Sequence, residues 1–208
     1  MTLEEINVSH KKWIIGFRLE STLLYSVWGA DSTDNDDDKL WVDAHQRIIA
    51  FSEPQQTIEA VLTSSLLLFD SHNVHRWASS IMEHGYSYKP TSVYIYDIDR
   101  ISEQIDHIDF DNLAANSPGL MLEFINILNL VGDYVLQIDD KAAIQTWDNS
   151  SLRLFREYMY NAYFWTIPPD DLKFRQHELL QNYNVYDCEQ SLKEILSTFK
   201  KRLQLYDS

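Results

Sequence analysis

Residues 13–29, WIIGFRLESTLLYSVWG, decide how the first half of the chain is read. Two runs rich in β-branched, aromatic and aliphatic residues, WIIGFRL and TLLYSVWG, flank a short polar break, as the arms of a β-hairpin do. Downstream, KLWV at 39–42 and RIIAFS at 47–52 repeat the pattern, so four antiparallel strands are expected between residues 13 and 51. SVYIYD at 92–97 is a fifth candidate strand.

After Pro54 the period changes. QQTIEAVLTSSLLLF places Ile58, Val61, Leu62 and Leu66 at helical spacing, and a second helix is expected around His75–Met82. A third starts near Asp97 or Asp99, either of which suits an N-cap. Ser117 followed by Pro118 reads as an N-cap with proline at the first helical position. Leu152, Phe155, Met159 and Ala162 form a stripe behind a Ser150–Ser151 cap, and Pro168–Pro169 stop that helix. Asp170 and Asp187 then cap two last helices, the second carrying Leu192, Ile195, Leu196, Phe199 and Leu203. The fold class expected is α+β: an N-terminal antiparallel sheet of about four to five strands packed against a helical C-terminal half. With no long linker, residues 1–208 are expected to form one domain, mainly β over 1–53, mixed over 54–116 and helical over 117–208.

The composition, 45% hydrophobic and 13% aromatic over 208 residues, suffices for a real core and excludes wholesale disorder. A single cysteine, Cys188, permits no intramolecular disulfide and fits a reducing compartment. MTLEEINVSHKKW lacks the apolar stretch of a secretory leader. PGLMLEFINILNLVGDYVLQI is interrupted by Glu123, Asn126, Asn129 and Asp133, which argues for a core helix over a membrane span. A cytoplasmic protein is expected.

Charge separates the function classes. The chain carries −15, and residues 1–140 hold 23 acids against 8 bases, whereas 141–208 hold nine of each. Such a field repels nucleic acid and anionic membranes and draws in basic proteins. The densest stretch is GADSTDNDDDKLWVD at 29–43, with Asp31, Asp34, Asp36, Asp37, Asp38 and Asp43 around Lys39 and Trp41. DHIDFDN adds Asp106, Asp109 and Asp111.

Catalytic alternatives fall one by one. Counting an EF-hand loop from Asp34 puts Lys39 where glycine must turn and His45 where a bidentate glutamate belongs, leaving at most an irregular cation loop. Asp97 and Asp99 resemble the metal-binding Asp-x-Asp of nucleotide-sugar glycosyltransferases and of haloacid-dehalogenase-type phosphatases, where carboxylates hold a divalent ion against phosphate. The phosphatase pattern wants threonine where Ile101 stands, and a helix cap explains the same residues. The five glycines, at 16, 29, 85, 119 and 132, are too sparse for any phosphate-cradling loop or nucleophile elbow. Asp70, His72, His75 and His84 lack a zinc spacing, and Cys188 with His177 lacks a nucleophile signature. FREYMYNAYFW packs six aromatics into 155–165 and reads as core ahead of contact surface.

Two stretches, RIIAFSEPQQTIEAVL (a strand, a turn and a helix) and YDIDRISEQI (a capped helix), resemble the immunity proteins of bacterial polymorphic-toxin and contact-dependent growth inhibition systems. They cover about an eighth of the chain. The resemblance implies a small cytoplasmic inhibitor that blocks one cognate toxin, often a basic nuclease, with no catalysis and no cofactor. The aspartates of 31–43 with Trp41, and Asp106, Asp109 and Asp111, are then the expected partner-binding residues. The alternatives are a divalent-metal-dependent enzyme using Asp97 and Asp99, or a structural adaptor.

Overall fold

The computed structural model describes residues 1–63, 65, 68–164, 177, 179 and 181–206. The chain forms two compact units, one of residues 1–97 with 200–208 and the other of residues 98–199. The chain therefore leaves the first unit after β5 and comes back to it at Lys200.

The first unit opens with a helix, α1 (Leu3–His10), followed by β1 (Lys12–Leu19), β2 (Thr22–Asp31), β3 (Asp37–Leu40) and β4 (Ile48–Ala50). Next come α2 (Pro54–Thr63), α3 (Ser71–Glu83) and β5 (Tyr94–Asp97). The expected hairpin forms in full register from Lys12↔Gly29 to Leu19↔Thr22, turning through Glu20 and Ser21 at positive φ. β3 pairs antiparallel with β2. The four-stranded sheet runs β3-β2-β1-β5.

Two departures from the sequence reading concern this sheet. β5 lies parallel to β1, which an all-antiparallel array does not anticipate. The reason is the intervening α2 and α3, since a parallel neighbour needs a long crossover where an antiparallel one needs only a turn. β4 leaves the main sheet and pairs in parallel with a sixth strand, β6 (Leu203–Leu205). Leu203, expected on the last helix, therefore belongs to a strand. α1 lies ahead of the stretch the strand pattern covers, and its start is marked by a reciprocal capping box of Thr2 and Glu5.

Two glycines make the strand packing possible. A β-carbon on Gly29 would collide with the carbonyl of Lys11, the left-handed residue ending α1, and that carbonyl accepts from Ala30 N at 3.1 Å. A β-carbon on Gly16 would strike Ile95, its partner in the parallel pair. The core gathers Ile14, Tyr25, Val27, Trp41, Phe51 and Trp77 with apolar residues of α2 and α3. Of the α2 periodicity, Ile58 and Val61 are buried, and Leu66 lies outside the described residues.

In the second unit α4 (Ile98–Gln104) starts directly after Asp97, where a helix is expected, with Asp99 inside its first turn. α5 (Pro118–Gln137) starts as the sequence indicates, with Ser117 accepting from Leu120 N. It is the one helix among the described residues long and apolar enough to cross a membrane, and 56% of that window is buried in the protein. α6 (Lys141–Trp147) is capped by Asp140, and α7 (Ser150–Met159) by Asn149 rather than by the expected serines. The asparagine wins because its side-chain oxygen reaches both Ser151 N and Leu152 N. α8 (Val185–Arg202) begins two residues before Asp187, and Asn184 takes the expected role of that aspartate by accepting from Asp187 N at 3.1 Å. The cap and stop expected at Asp170 and Pro168–Pro169 lie outside the described residues.

Met121, Phe124, Leu128, Tyr134, Phe155 and Phe199 are among the side chains that fill the second core. Phe155 packs on Phe110 at 5.6 Å between ring centroids, and Tyr134 meets Phe199 edge-on at 5.4 Å. Of the aromatic run at 155 onward, Phe155 and Tyr158 are buried beside Met159, while Tyr160 and Tyr163 are half-buried. At Tyr160 the α-helix widens into a π-turn through Phe164, and Tyr160 donates to Asn129 of α5. The side chain of Phe164 and all of Trp165 lie outside the described residues.

Candidate partner-binding surface

The acidic stretch is the tip of the β2–β3 hairpin. Asn35 and Asp36 adopt positive φ, and the Asp31 carbonyl accepts from both Asp34 N and Asp36 N at 3.0 Å, closing the turn. Asp34, Asp36, Asp37 and Asp38 are exposed there. Lys39 reaches Asp34 at 2.5 Å and Asp31 at 2.9 Å, and Lys11 reaches Asp36 at 3.0 Å. Asp37 and Asp38 make no ion pair among the described residues. Desolvation first, then the neighbouring carboxylates Asp37 and Asp36, hold the Asp38 carboxyl above its ordinary value despite Lys12 and Lys11.

Three of the expected contact residues point inward. Asp31 is buried and accepts from Thr33 N at 2.9 Å and from the Thr33 hydroxyl at 2.6 Å. Desolvation pushes its carboxyl up, but these bonds and Lys39 outweigh it, leaving a net downward shift. Asp43 accepts from His45 N, Arg47 N, Arg47 Nε and the Tyr206 hydroxyl, at 2.7–2.9 Å. Against desolvation, these donors bring the Asp43 carboxyl down to about 2. Trp41 is fully enclosed, 5.8 Å from Phe51 between ring centroids, so it anchors the core and presents nothing to a partner. The expectation for Trp41 is corrected on that ground, and Asp31 and Asp43 act as internal struts.

Asp106, Asp109 and Asp111 belong to the second unit, and all three are exposed. Asp106 pairs with Lys193 at 2.6 Å, which lowers its carboxyl, while Asp109 holds a turn by accepting from Asn112 N at 2.8 Å. The division of the chain also redistributes charge. The first unit holds 15 acids and 10 bases, a net −5, and the second holds 17 acids and 7 bases, a net −10. The first unit is milder because Lys200, Lys201 and Arg202 return to it.

No group of three or more His, Cys, Asp or Glu side chains among the described residues is placed to hold a metal ion. Asp97 pairs with Arg18 at 3.0 Å, and Asp99 lies in the first turn of α4. Asp70 is bound to Lys12, Ser32 and Asn73. It pairs with Lys12 at 2.8 Å, and both side chains are almost wholly buried. Lys12 also donates to the Ala30 carbonyl, and Ser32 and Asn73 donate to Asp70. These donors outweigh desolvation and hold the Asp70 carboxyl at about 2. Nothing in the local sequence marks this pair, since its members lie 58 residues apart. Cys188 is buried, and desolvation pushes its thiol up to about 12, which makes it inert at neutral pH.

No family model matches the chain, and no curated protein matches it. Among solved structures the chain is similar to the SatS C-terminal domain, determined in complex with bromine, with a TM-score of 0.52, 11% sequence identity and 96% of each chain covered. At that identity the likeness shows a shared fold and nothing about activity.

Proposed function

We propose that this chain is an acidic cytoplasmic binding protein that neutralises a cognate basic toxin, of nuclease type, by occluding its active site without catalysis. The observation that carries the reading is the exposure of seven carboxylates, Asp34, Asp36, Asp37 and Asp38 on the hairpin tip and Asp106, Asp109 and Asp111 on the second unit, on a chain of net −15. Only three of the seven meet a lysine in an ion pair among the described residues. Exposed carboxylates in that number match the lysines and arginines with which a nuclease grips phosphates, and the summed field speeds encounter. With Trp41 withdrawn into the core, association rate is the quantity these carboxylates govern best.

The test is purification of tagged full-length chain from its native cells, followed by identification and toxicity assay of whatever co-purifies. A stoichiometric basic protein that is toxic alone and harmless when co-expressed supports the reading. Asn substitutions at 34, 36, 37 and 38, or at 106, 109 and 111, should slow its association by roughly tenfold or more at low salt. A chain that purifies alone, or a partner indifferent to both sets, sinks the proposal.

A further inference from the structure

Within the second unit, α6 ends at Trp147, and α7 carries Arg153 and Arg156. Their spacing sets both arginines on one face of that helix. Trp147 is buried, and the Arg156 guanidinium lies over its ring, 3.7 Å from the centroid. Nη2 of Arg156 donates to the Trp147 carbonyl at 3.0 Å, so stacking and hydrogen bond together fix the plane of the guanidinium. What it lacks is an anion. Among the described residues the ion pairs of this unit join Arg100 to Glu123, and Lys193 to Asp106 and Glu189. Neither Arg153 nor Arg156 enters one. Arg156 is half-buried, and its Nε is shielded from solvent with no acceptor. Desolvation first, and then Arg153, work against its charge and hold its pKa below the ordinary value, although Tyr160 and Asp148 favour that charge.

We propose that Arg153 and Arg156 form a binding site for a phosphate dianion, free or carried as a monoester. The second unit holds 17 acids against 7 bases, yet no described carboxylate pairs with either arginine. A half-buried cation left without a counter-charge is costly, and an unmet donor of this kind marks the place of an absent ion. Arg156 supplies the orientation, because Trp147 holds its fork in one plane before any ligand arrives. Arg153 is exposed and brings the second charge from the solvent side. One guanidinium satisfies a carboxylate, whereas a fixed one beside a mobile one suits a group with three oxygens and two charges. The site uses none of the carboxylates assigned to the toxin, so it stands or falls apart from that reading.

Thermal unfolding of the full-length chain in sodium phosphate, against sodium chloride at matched ionic strength and mildly alkaline pH, tests this. Wild type should show a saturable rise in melting temperature with phosphate. Phosphate also stabilises folded chains by exclusion from their surface, an effect that does not saturate and that no single side chain sets. Arg153→Gln, at an exposed position, should weaken the saturable part roughly tenfold. Arg156→Lys keeps the charge without the planar fork and should abolish it. If that variant fails to fold, Arg153→Gln decides alone. Glycerol phosphate separates the sources: tighter binding than inorganic phosphate identifies a monoester as the ligand, and weaker binding the free ion. A rise in wild type that does not saturate, or a saturable rise that either folded variant keeps unchanged, means an adventitious ion only and overturns the proposal.

Discussion

Asp70→Asn should destabilise the first unit by about 3–5 kcal/mol, the cost of leaving a buried charge without its counter-ion. Lys12 has no solvent exposure and its remaining acceptors are the carbonyls of Ala30 and His10, neither of which carries a full charge. The asparagine keeps the shape and retains an oxygen for Ser32, so the change isolates the charge. Against an ordinary total of about 5–15 kcal/mol, the loss is severe. Urea unfolding at neutral pH is the assay, followed by the fluorescence of Trp13, Trp28, Trp41 and Trp77, all in the first unit. The midpoint should fall by roughly 1–3 M with the slope unchanged. Pairing the change with Lys12→Met should recover most of the loss, because the stranded ammonium is gone and the neutral amide at 70 still bonds Ser32. A single-variant loss below about 1 kcal/mol would refute the reasoning, since it would mean that water reaches the Lys12 ammonium in the folded protein.

Further outcomes follow from the same geometry. Asp43 and Asp70 have folded values near 2 against 3.8 for the free side chain, so each stabilises by about 2 kcal/mol at neutral pH. That contribution is complete above roughly pH 5 and is lost as pH falls from about 4 toward 2. Wild type should therefore weaken steeply in that window, and Asp70→Asn less so, in a pH series of urea midpoints. Gly29→Ala should cost roughly 1–3 kcal/mol, because φ is +152° and the new carbon meets the Lys11 carbonyl. A thermal melt unchanged from wild type would contradict that packing of α1. Phe155→Ala should cost about 3–5 kcal/mol by opening a cavity beside Phe110, read from thermal unfolding with Trp147 as the probe. Tyr206→Phe should cost roughly 1–2 kcal/mol through the lost bond to the Asp43 carboxylate, read from urea unfolding.

The sequence by itself determined whatever depends on neighbours along the chain. Period-two runs around Glu20–Ser21 specify a hairpin, because successive side chains face opposite sides of a strand. Ser117–Pro118 specifies a helix start, because cap and proline act within one turn. Tertiary structure alone decided what depends on groups brought from afar. Six aspartates in 31–43 read alike on paper, yet Asp43 is drawn inward by Arg47 and by Tyr206, which lies 163 residues away. Asp31 is enclosed, while Asp37 and Asp38 stay in water. Trp41 went to the core because Phe51 packs against it after β4 turns back. The parallel placement of β5 and the pairing of β6 with β4 arise in the same way. A strand edge takes the partner that leaves fewest backbone groups unpaired, and that partner can come from any distance along the chain.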